Sequence, residues 1–230
     1  MLGVLVNTGA IIAGGLLGQL LKRGIPQKYN DAIMQGLGLC ILYIGISGAL
    51  DGTNALVPIL AISLGALIGT ALDLQGKLDR LGEALQKRIV NTDNSDESPS
   101  FSRGFVTACL LFCVGAMAVM GPLNSGISGD NSMLYTKSVL DFISSIVLGA
   151  SLGIGVAFSS IAIFLFEGAI ALLSSLLAPI MTETVIAEIN CTGSILIMGL
   201  AFNSIGITKI KVMNYILSIF IAALIAALFL

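Results

Sequence analysis

The sequence predicts an all-α, polytopic integral membrane protein with about eight transmembrane helices. Of its 230 residues, 56% are hydrophobic and only 10% are charged, and the mean hydropathy is +1.01, a composition far from that of soluble domains. Apolar runs of about 20 residues, the length that crosses a bilayer, recur along the chain. The 27 glycines and the small number of large aromatic residues favour helices that pack closely through small side chains.

The first unit, residues 1–73, contains three predicted spans at residues 2–21, 32–50 and 55–72. The turn-forming residues 51–54 predict a tight hairpin between the second and third spans. The first apolar run has neither a basic n-region nor an obvious cleavage site, so we expect a retained helix rather than a signal peptide.

Residues 74–100 differ from the rest of the chain. Apolar side chains recur every three to four residues from Leu74 to Ile89, and charged side chains cover the other side. This pattern predicts a cytoplasmic amphipathic helix over residues 74–90, lying on the membrane surface or on the protein. Residues 91–100 are polar, acidic and rich in turn formers, which predicts a flexible linker.

Residues 101–157 contain the predicted fourth and fifth spans. The fourth covers residues 105–121, and we expect Gly121-Pro122 to end it. The apolar run at residues 139–177 is too long for one helix in the hydrocarbon core, so it must form two spans. The turn between these two spans is predicted near residues 153–160.

The last unit, residues 158–230, contains the sixth span, a seventh at residues 189–207 and an eighth at residues 212–230. Lys and Arg favour the cytoplasmic side of a membrane. With the N-terminus outside, only Lys137 of the 11 basic residues falls outside the cytoplasmic connections. Both termini are therefore predicted to be extracytoplasmic.

Spans one to three resemble spans six to eight. The matching segments are residues 9–17 with 168–176, 40–45 with 194–199, and 65–69 with 222–226. Because spans one and six run in opposite directions, these three-helix units are predicted to be inverted repeats, the usual plan of secondary transporters. The alternative is that glycine-rich apolar helices resemble one another through composition alone.

The candidate site consists of polar residues within the apolar spans. A carboxylate there costs roughly 3 kcal/mol or more, so it normally faces a protein interior or a watery cavity. Glu167 is the principal candidate, because it could take a proton or coordinate a cation, and the repeat register pairs it with Thr8. A protonated glutamic acid with a structural role is the alternative. The other candidates are Glu188, Asn7, Thr8, Gln35, Asn190, Thr192 and Asn203.

Other carboxylates lie nearer the span ends. Glu188, near the start of span seven, could form the edge of the site or complement the helix dipole. Asp73 and Asp141 are expected to be solvated.

Several kinds of chemistry are excluded or unsupported. The absence of His removes imidazole metal sites, His proton relays and His-dependent catalytic triads. The four cysteines lie in apolar segments without a Cys-x-x-Cys pair, which favours packing over a metal or redox role. We expect no enzyme activity, cofactor, metal or nucleic-acid partner. The expected partners are the lipid bilayer and a small solute or ion, and the glycine-rich surfaces are compatible with a homo-oligomer.

Several sequence blocks are specific beyond their hydrophobicity. They are Asn7 with Gly9, and residues 34–39, 76–82, 105–115, 129–138 and 203–206. Together they resemble the YdfK/YqgA-like bacterial membrane proteins grouped as domain of unknown function 554, over essentially the whole chain. The spacing of Glu188 and Gly193 also matches that family's pattern. The resemblance implies a prokaryotic inner-membrane protein of a family often labelled as transporters, with no established substrate.

We therefore expect a secondary transporter or ion-conducting protein with a midplane site between inverted repeats, coupled to protons or sodium through Glu167. The alternative is a non-transporting scaffold or sensor that acts through the amphipathic segment at residues 74–90. A transporter predicts a hydrated polar cavity that reaches Glu167, whereas a scaffold predicts dry packing around it.

Overall fold

The computed structural model describes residues 1–22, 27–80 and 101–229, and every regular element within these ranges is helical. The prediction of an all-α fold is therefore confirmed. Residues 81–100, which include most of the predicted amphipathic helix and the whole linker, lie outside the described residues.

The described helices supply the predicted spans. Six segments are long and apolar enough to cross a membrane, and two bent pairs raise this number to eight if each pair is one span. The bent pairs are α3 with α4 and α5 with α6. The helices are α1 (Leu2–Lys22), α2 (Gln27–Ala49), α3 (Leu56–Ala71), α4 (Leu74–Arg80), α5 (Phe101–Cys113), α6 (Ala116–Ile127), α7 (Ser132–Leu152), α8 (Gly155–Leu172), α9 (Ser174–Leu177), α10 (Glu183–Ile205) and α11 (Leu217–Phe229), with a 3-10 turn at Val212–Tyr215 before α11.

The fourth span is broken near its middle. The axes of α5 and α6 differ by 60°, and Gly115 between them has a φ of 126° that residues with a side chain rarely adopt. The prediction that Gly121-Pro122 ends this span is wrong, because α6 continues through Pro122 to Ile127. A proline removes one backbone hydrogen bond, and helices packed inside a membrane bundle tolerate this loss.

Helices α1 and α7 pack in parallel through small residues. Gly3 lies against Leu134 near the start of both helices, and Gly18 lies against Gly149 and Ala150 near their ends. A Cβ atom added to Gly18 would lie only 2.7 Å from the backbone nitrogen of Ala150. The two backbones therefore approach as closely as small-residue interfaces in membranes allow.

Three other helix pairs are antiparallel: α1 with α8, α2 with α10, and α3 with α11. The order of the contacts along each pair gives these directions. In the pair α1–α8, Asn7 contacts Glu167 and Gly15 contacts Ala157. In the pair α2–α10, Gly38 contacts Ile205 and Gly48 contacts Ser194. In the pair α3–α11, Gly65 contacts Ser218, and Gly69 contacts Asn214 in the 3-10 turn just before α11.

Helix α5 joins the two parts of the apolar core. One of its faces packs with α10, where Leu110 and Ile197 are buried. Its other face packs with α1 and α8, where Phe112, Ile11 and Ile163 are buried. The end of α5 is therefore held between the two groups of helices, beside the break at Gly115.

We expect Gly18→Ala to reduce thermal stability, because the added methyl group would overlap the backbone of α7. Overpacking of this kind costs about 1–3 kcal/mol. The measurement is the fraction of monodisperse protein in detergent after heating. Gly9→Ala is the matched control on the same helix, since no atom lies within 4 Å of a Cβ added there. Equal heat sensitivity of the two variants would contradict the close α1–α7 contact.

Candidate functional site

Four polar side chains from three helices meet inside the bundle: Asn7 of α1, Lys137 and Asp141 of α7, and Glu167 of α8. The amide nitrogen of Asn7 donates to Asp141 Oδ2 at 3.1 Å and to Glu167 Oε1 at 2.9 Å. Lys137 Nζ forms an ion pair with Asp141 Oδ2 and lies 3.4 Å from Glu167 Oε1. This charged cluster therefore contains one ammonium, two carboxylates and one amide.

The charged cluster is closed to solvent. Asn7 and Glu167 are 0% exposed, Lys137 is 5% exposed and Asp141 is 7% exposed. Asn7 Oδ1 and Glu167 Oε2 are buried without a hydrogen-bond partner in residues 1–22, 27–80 and 101–229. A buried acceptor without a donor is costly, so these two oxygens are where a proton, a water molecule or a cation would be stabilised.

The charges of the cluster do not balance when both carboxylates are ionised. One ammonium then faces two carboxylates, which leaves an excess negative charge in a region where charge is poorly solvated. A proton on one carboxyl group, or one bound monovalent cation, would remove this excess. The arrangement is therefore suited to exchange a single positive charge.

The structure contradicts the expectation that Asp141 is solvated. It is buried because Lys137, four residues earlier, lies on the same face of α7 and pairs with it. Sequence reasoning also left Lys137 out of the candidate site. Two signals pointed to it: this four-residue spacing, and its position as the one basic residue outside the predicted cytoplasmic connections.

The charged cluster lies near the N-terminal end of α1 rather than at its middle. Asn7 is five residues beyond the start of α1, and Glu167 is five residues before the end of α8. At 1.5 Å per residue this places the cluster about 8 Å from those helix ends. The site is therefore shallower than the midplane position that the sequence suggested.

The α6–α7 connection covers this end of the bundle. Asn131 Oδ1 accepts hydrogen bonds from the backbone of Gly3 at 3.0 Å and from the hydroxyl of Ser125 at 2.8 Å. Beside it, the hydroxyl and the backbone N–H of Ser132 donate to Asp130 and lower the pKa of that exposed carboxyl group. These contacts tie the connection to the start of α1, above the cluster.

The last turn of α5 adjoins the charged cluster. Lys137 Nζ lies 5.8 Å from the centre of the Phe112 ring, within range of a cation–π interaction. The next residue, Cys113, packs against the apolar cluster that contains Phe112 and Ile163. The break at Gly115 follows immediately, so a change in the angle between α5 and α6 would act on the surroundings of these charges.

Glu188 lies in a second, separate group of polar residues. Its Oε1 accepts hydrogen bonds from the backbone of Thr53 at 2.7 Å, the hydroxyl of Thr53 at 2.8 Å and the backbone of Asn54 at 2.8 Å. Asn190 donates to Asp51 in the same turn. These contacts fasten α10 to the turn before α3, and the negative charge lies beside the N-terminal end of α3.

Part of this second group has no hydrogen-bond partner in the part of the chain that the structure describes. Glu188 Oε2 and the hydroxyl of Thr192, one helical turn further along α10, are both buried and without a hydrogen bond. The contacts of Oε1 are those of a structural anchor, and the sequence could not distinguish this from a role at the edge of a site.

The remaining candidates lie away from the charged cluster. The hydroxyl of Thr8 donates to the Val4 carbonyl of its own helix at 2.8 Å, so the residue of α1 that reaches Glu167 is Asn7. Gln35 is exposed on α2. Asn203, near the end of α10, hydrogen-bonds with Thr208 and Ile210 in the following connection.

The helices and the buried charges between them define an all-helical membrane protein with several candidate spans. A family model described as "Protein of unknown function (DUF554)" matches residues 2–227, and the chain belongs to this family.

Two relatives match almost the whole chain. The "Uncharacterized membrane protein YdfK" of Bacillus subtilis (strain 168) is 31% identical over 225 residues, which cover 96% of this chain and 93% of the relative. The "Uncharacterized protein YqgA" of Escherichia coli (strain K12) is 29% identical over 222 residues, which cover 96% and 94%. No solved structure gives a significant match.

We expect Lys137→Met to destabilise the protein by about 3–5 kcal/mol, because it leaves two buried carboxylates without their cation. Asp141→Asn should cost less, since the remaining Lys137 and Glu167 form a neutral pair. Heat stability in detergent measures both effects. A Lys137→Met variant as stable as Asp141→Asn would contradict this assignment of charges.

Proposed function

We propose that this protein is a secondary transporter of the inner membrane that binds a proton or a sodium ion at Glu167. The observation that supports this proposal is the buried cluster in which one ammonium faces two carboxylates. Ionisable groups inside a membrane are costly and commonly mark ion pathways or proton relays. Binding and release of one cation would switch the cluster between balanced and unbalanced charge.

The unpaired acceptors favour this function over a purely structural scaffold. A scaffold gains most when every buried polar atom is paired, whereas Asn7 Oδ1 and Glu167 Oε2 have no partner among the described residues. Glu188 Oε2 is also unpaired, so this observation supports an ion site only together with the excess negative charge of the cluster. The amphipathic segment gives the sensor alternative no support within its described part. Leu78 on α4 is buried in the same apolar cluster as Leu110, so this part packs on the protein.

The helix directions support an inverted-repeat transporter. Spans one, two and three each pack antiparallel against the span that resembles them, in the pairs α1–α8, α2–α10 and α3–α11. Inverted repeats related by an axis in the membrane plane would produce such pairs. The charged cluster lies within the first pair, between the two repeat units.

The closed cluster favours a transporter over an open channel. The polar cavity that the transporter hypothesis predicts at Glu167 is not found among the described residues. Glu167 is 0% exposed, as the scaffold alternative predicts, and the cavity of about 480 Å³ is lined by other residues. The transport proposal therefore requires movement of helices to open a path to Glu167, as in alternating access. The fourth span breaks at Gly115, just after Phe112, which lies beside Lys137, and a change of angle at this break would provide that movement.

In liposomes that contain the purified protein, we expect Glu167→Gln to lower proton- or sodium-driven flux about tenfold or more, equivalent to at least ~1.4 kcal/mol. An internal pH-sensitive dye and radioactive sodium report the two ions. Glu183→Gln is the matched control, since Glu183 is exposed in the first turn of α10. The coupling role fails if Glu167→Gln folds and keeps both the rate and the ion dependence of the wild type.

The eight-span arrangement places Asp130 outside the cell and both Arg80 and Lys209 inside. We expect single cysteines at these positions, in a background without the four native cysteines, to react with an impermeant maleimide on intact cells only at position 130. Labelling of position 80 from outside would mean that α3 and α4 do not cross the membrane together. The protein would then have fewer spans.

A further inference from the structure

A cavity of about 480 Å³ lies at the other end of α5 from the charged cluster. It is bounded by the first turns of α5, the last turns of α10, the helix α4 and the connection at residues 206–212. Its volume is within the range of small-molecule sites in proteins.

Asn203 fixes the connection that forms the mouth of this cavity. Helix α10 ends at Ile205, and the following Gly206 has a left-handed φ of 88°. Asn203 Oδ1 then accepts from the backbone of Ile210 at 2.8 Å and from the hydroxyl of Thr208 at 2.7 Å, while its amide donates to the Ile210 carbonyl at 2.7 Å. These bonds hold Lys209 and Lys211, on either side of Ile210, at the cavity.

The charged residues that line the cavity are mainly basic. Among the described residues they are Arg103, Lys209, Lys211 and Asp79, so the two lysines alone outnumber the carboxylate. Asp79 also accepts a hydrogen bond from the Gln75 amide at 3.1 Å, so one of its carboxylate oxygens already has a donor. A cleft with an excess of one sign of charge and low-dielectric walls concentrates ions of the opposite sign.

The floor of the cavity is different in character. It includes Val106, Leu200 and Val212, which are buried and apolar, with the hydroxyl-bearing Thr107 beside them. A cationic mouth above an apolar floor suits a molecule with an anionic group and a less polar body. Lysine ammonium groups bind carboxylate and phosphate oxygens through charge-assisted hydrogen bonds.

We propose that this cavity binds a small organic molecule bearing a carboxylate or phosphate group, as the cytoplasmic entry site of the transported substrate. The assignment as substrate rests on the proposed transport function. The cavity and the charged cluster lie against opposite ends of α5: Val106 and Thr107 line the cavity, and Phe112 lies beside Lys137. Between them along α5, Leu110 is buried in an apolar cluster with Ile197 of α10. The solute and the coupling ion would therefore occupy separate sites.

Binding is tested on the full-length protein in phosphatidylcholine nanodiscs, using thermal stabilisation and titration with succinate, citrate, inorganic phosphate and glycerol 3-phosphate. At least one probe should bind saturably. The double variant Lys209→Gln/Lys211→Gln should weaken that binding about tenfold or more, because it removes two charged donors. Lys77→Gln is the matched control, an exposed lysine on α4 outside the cavity lining, and should leave the affinity unchanged.

The outcomes separate this proposal from its alternatives. The proposal is overturned if no probe binds, or if the double variant binds as tightly as the wild type. A second set of nanodiscs, with phosphatidylglycerol added, distinguishes a lipid headgroup. The substrate assignment is overturned if phosphatidylglycerol stabilises the protein, none of the soluble probes does, and the double variant loses that stabilisation. Because binding is measured without flux, these results do not depend on whether Glu167→Gln alters ion coupling.

Discussion

The structure depends on the pairing of charges inside an apolar bundle. Lys137 can be buried in α7 only because Asp141 on the same helix and Glu167 on α8 neutralise it, and Asn7 on α1 bridges the two carboxylates. The cluster therefore requires three helices to approach closely. Glycines at the α1–α7 interface permit that approach, because a larger side chain would overlap the facing backbone.

Helix α5 connects the features that matter for the proposed transport. Its first turns line the basic cavity, its middle packs against α10, and its last turn places Phe112 beside the charges. At Gly115 the span changes direction by 60°, through a φ of 126° that residues with a side chain rarely adopt. The proposed transport function requires this broken helix to link the two sites.

Sequence reasoning located much of the fold and half of the charged cluster. Asn7 and Glu167 were recognisable because polar residues stand out in apolar spans. Asp141 was expected to be solvated, and Lys137 was counted only as a basic residue outside the cytoplasmic connections, because one-dimensional position cannot show that a helix end is covered by another helix. Thr8 was paired with Glu167 by the repeat register, but the rotation of α1 turns Asn7 toward Glu167 and leaves Thr8 bonded to its own helix.

The sequence by itself determined the helical membrane fold, since hydrocarbon demands that each span satisfy its own backbone hydrogen bonds and hide its charges. It also determined where the apolar runs lie, including the turn between α7 and α8. Only the tertiary structure decided which polar groups share a site and which, like Glu188, serve as anchors. It also decided that the fourth span breaks at Gly115, because contacts between helices distant in sequence set those choices.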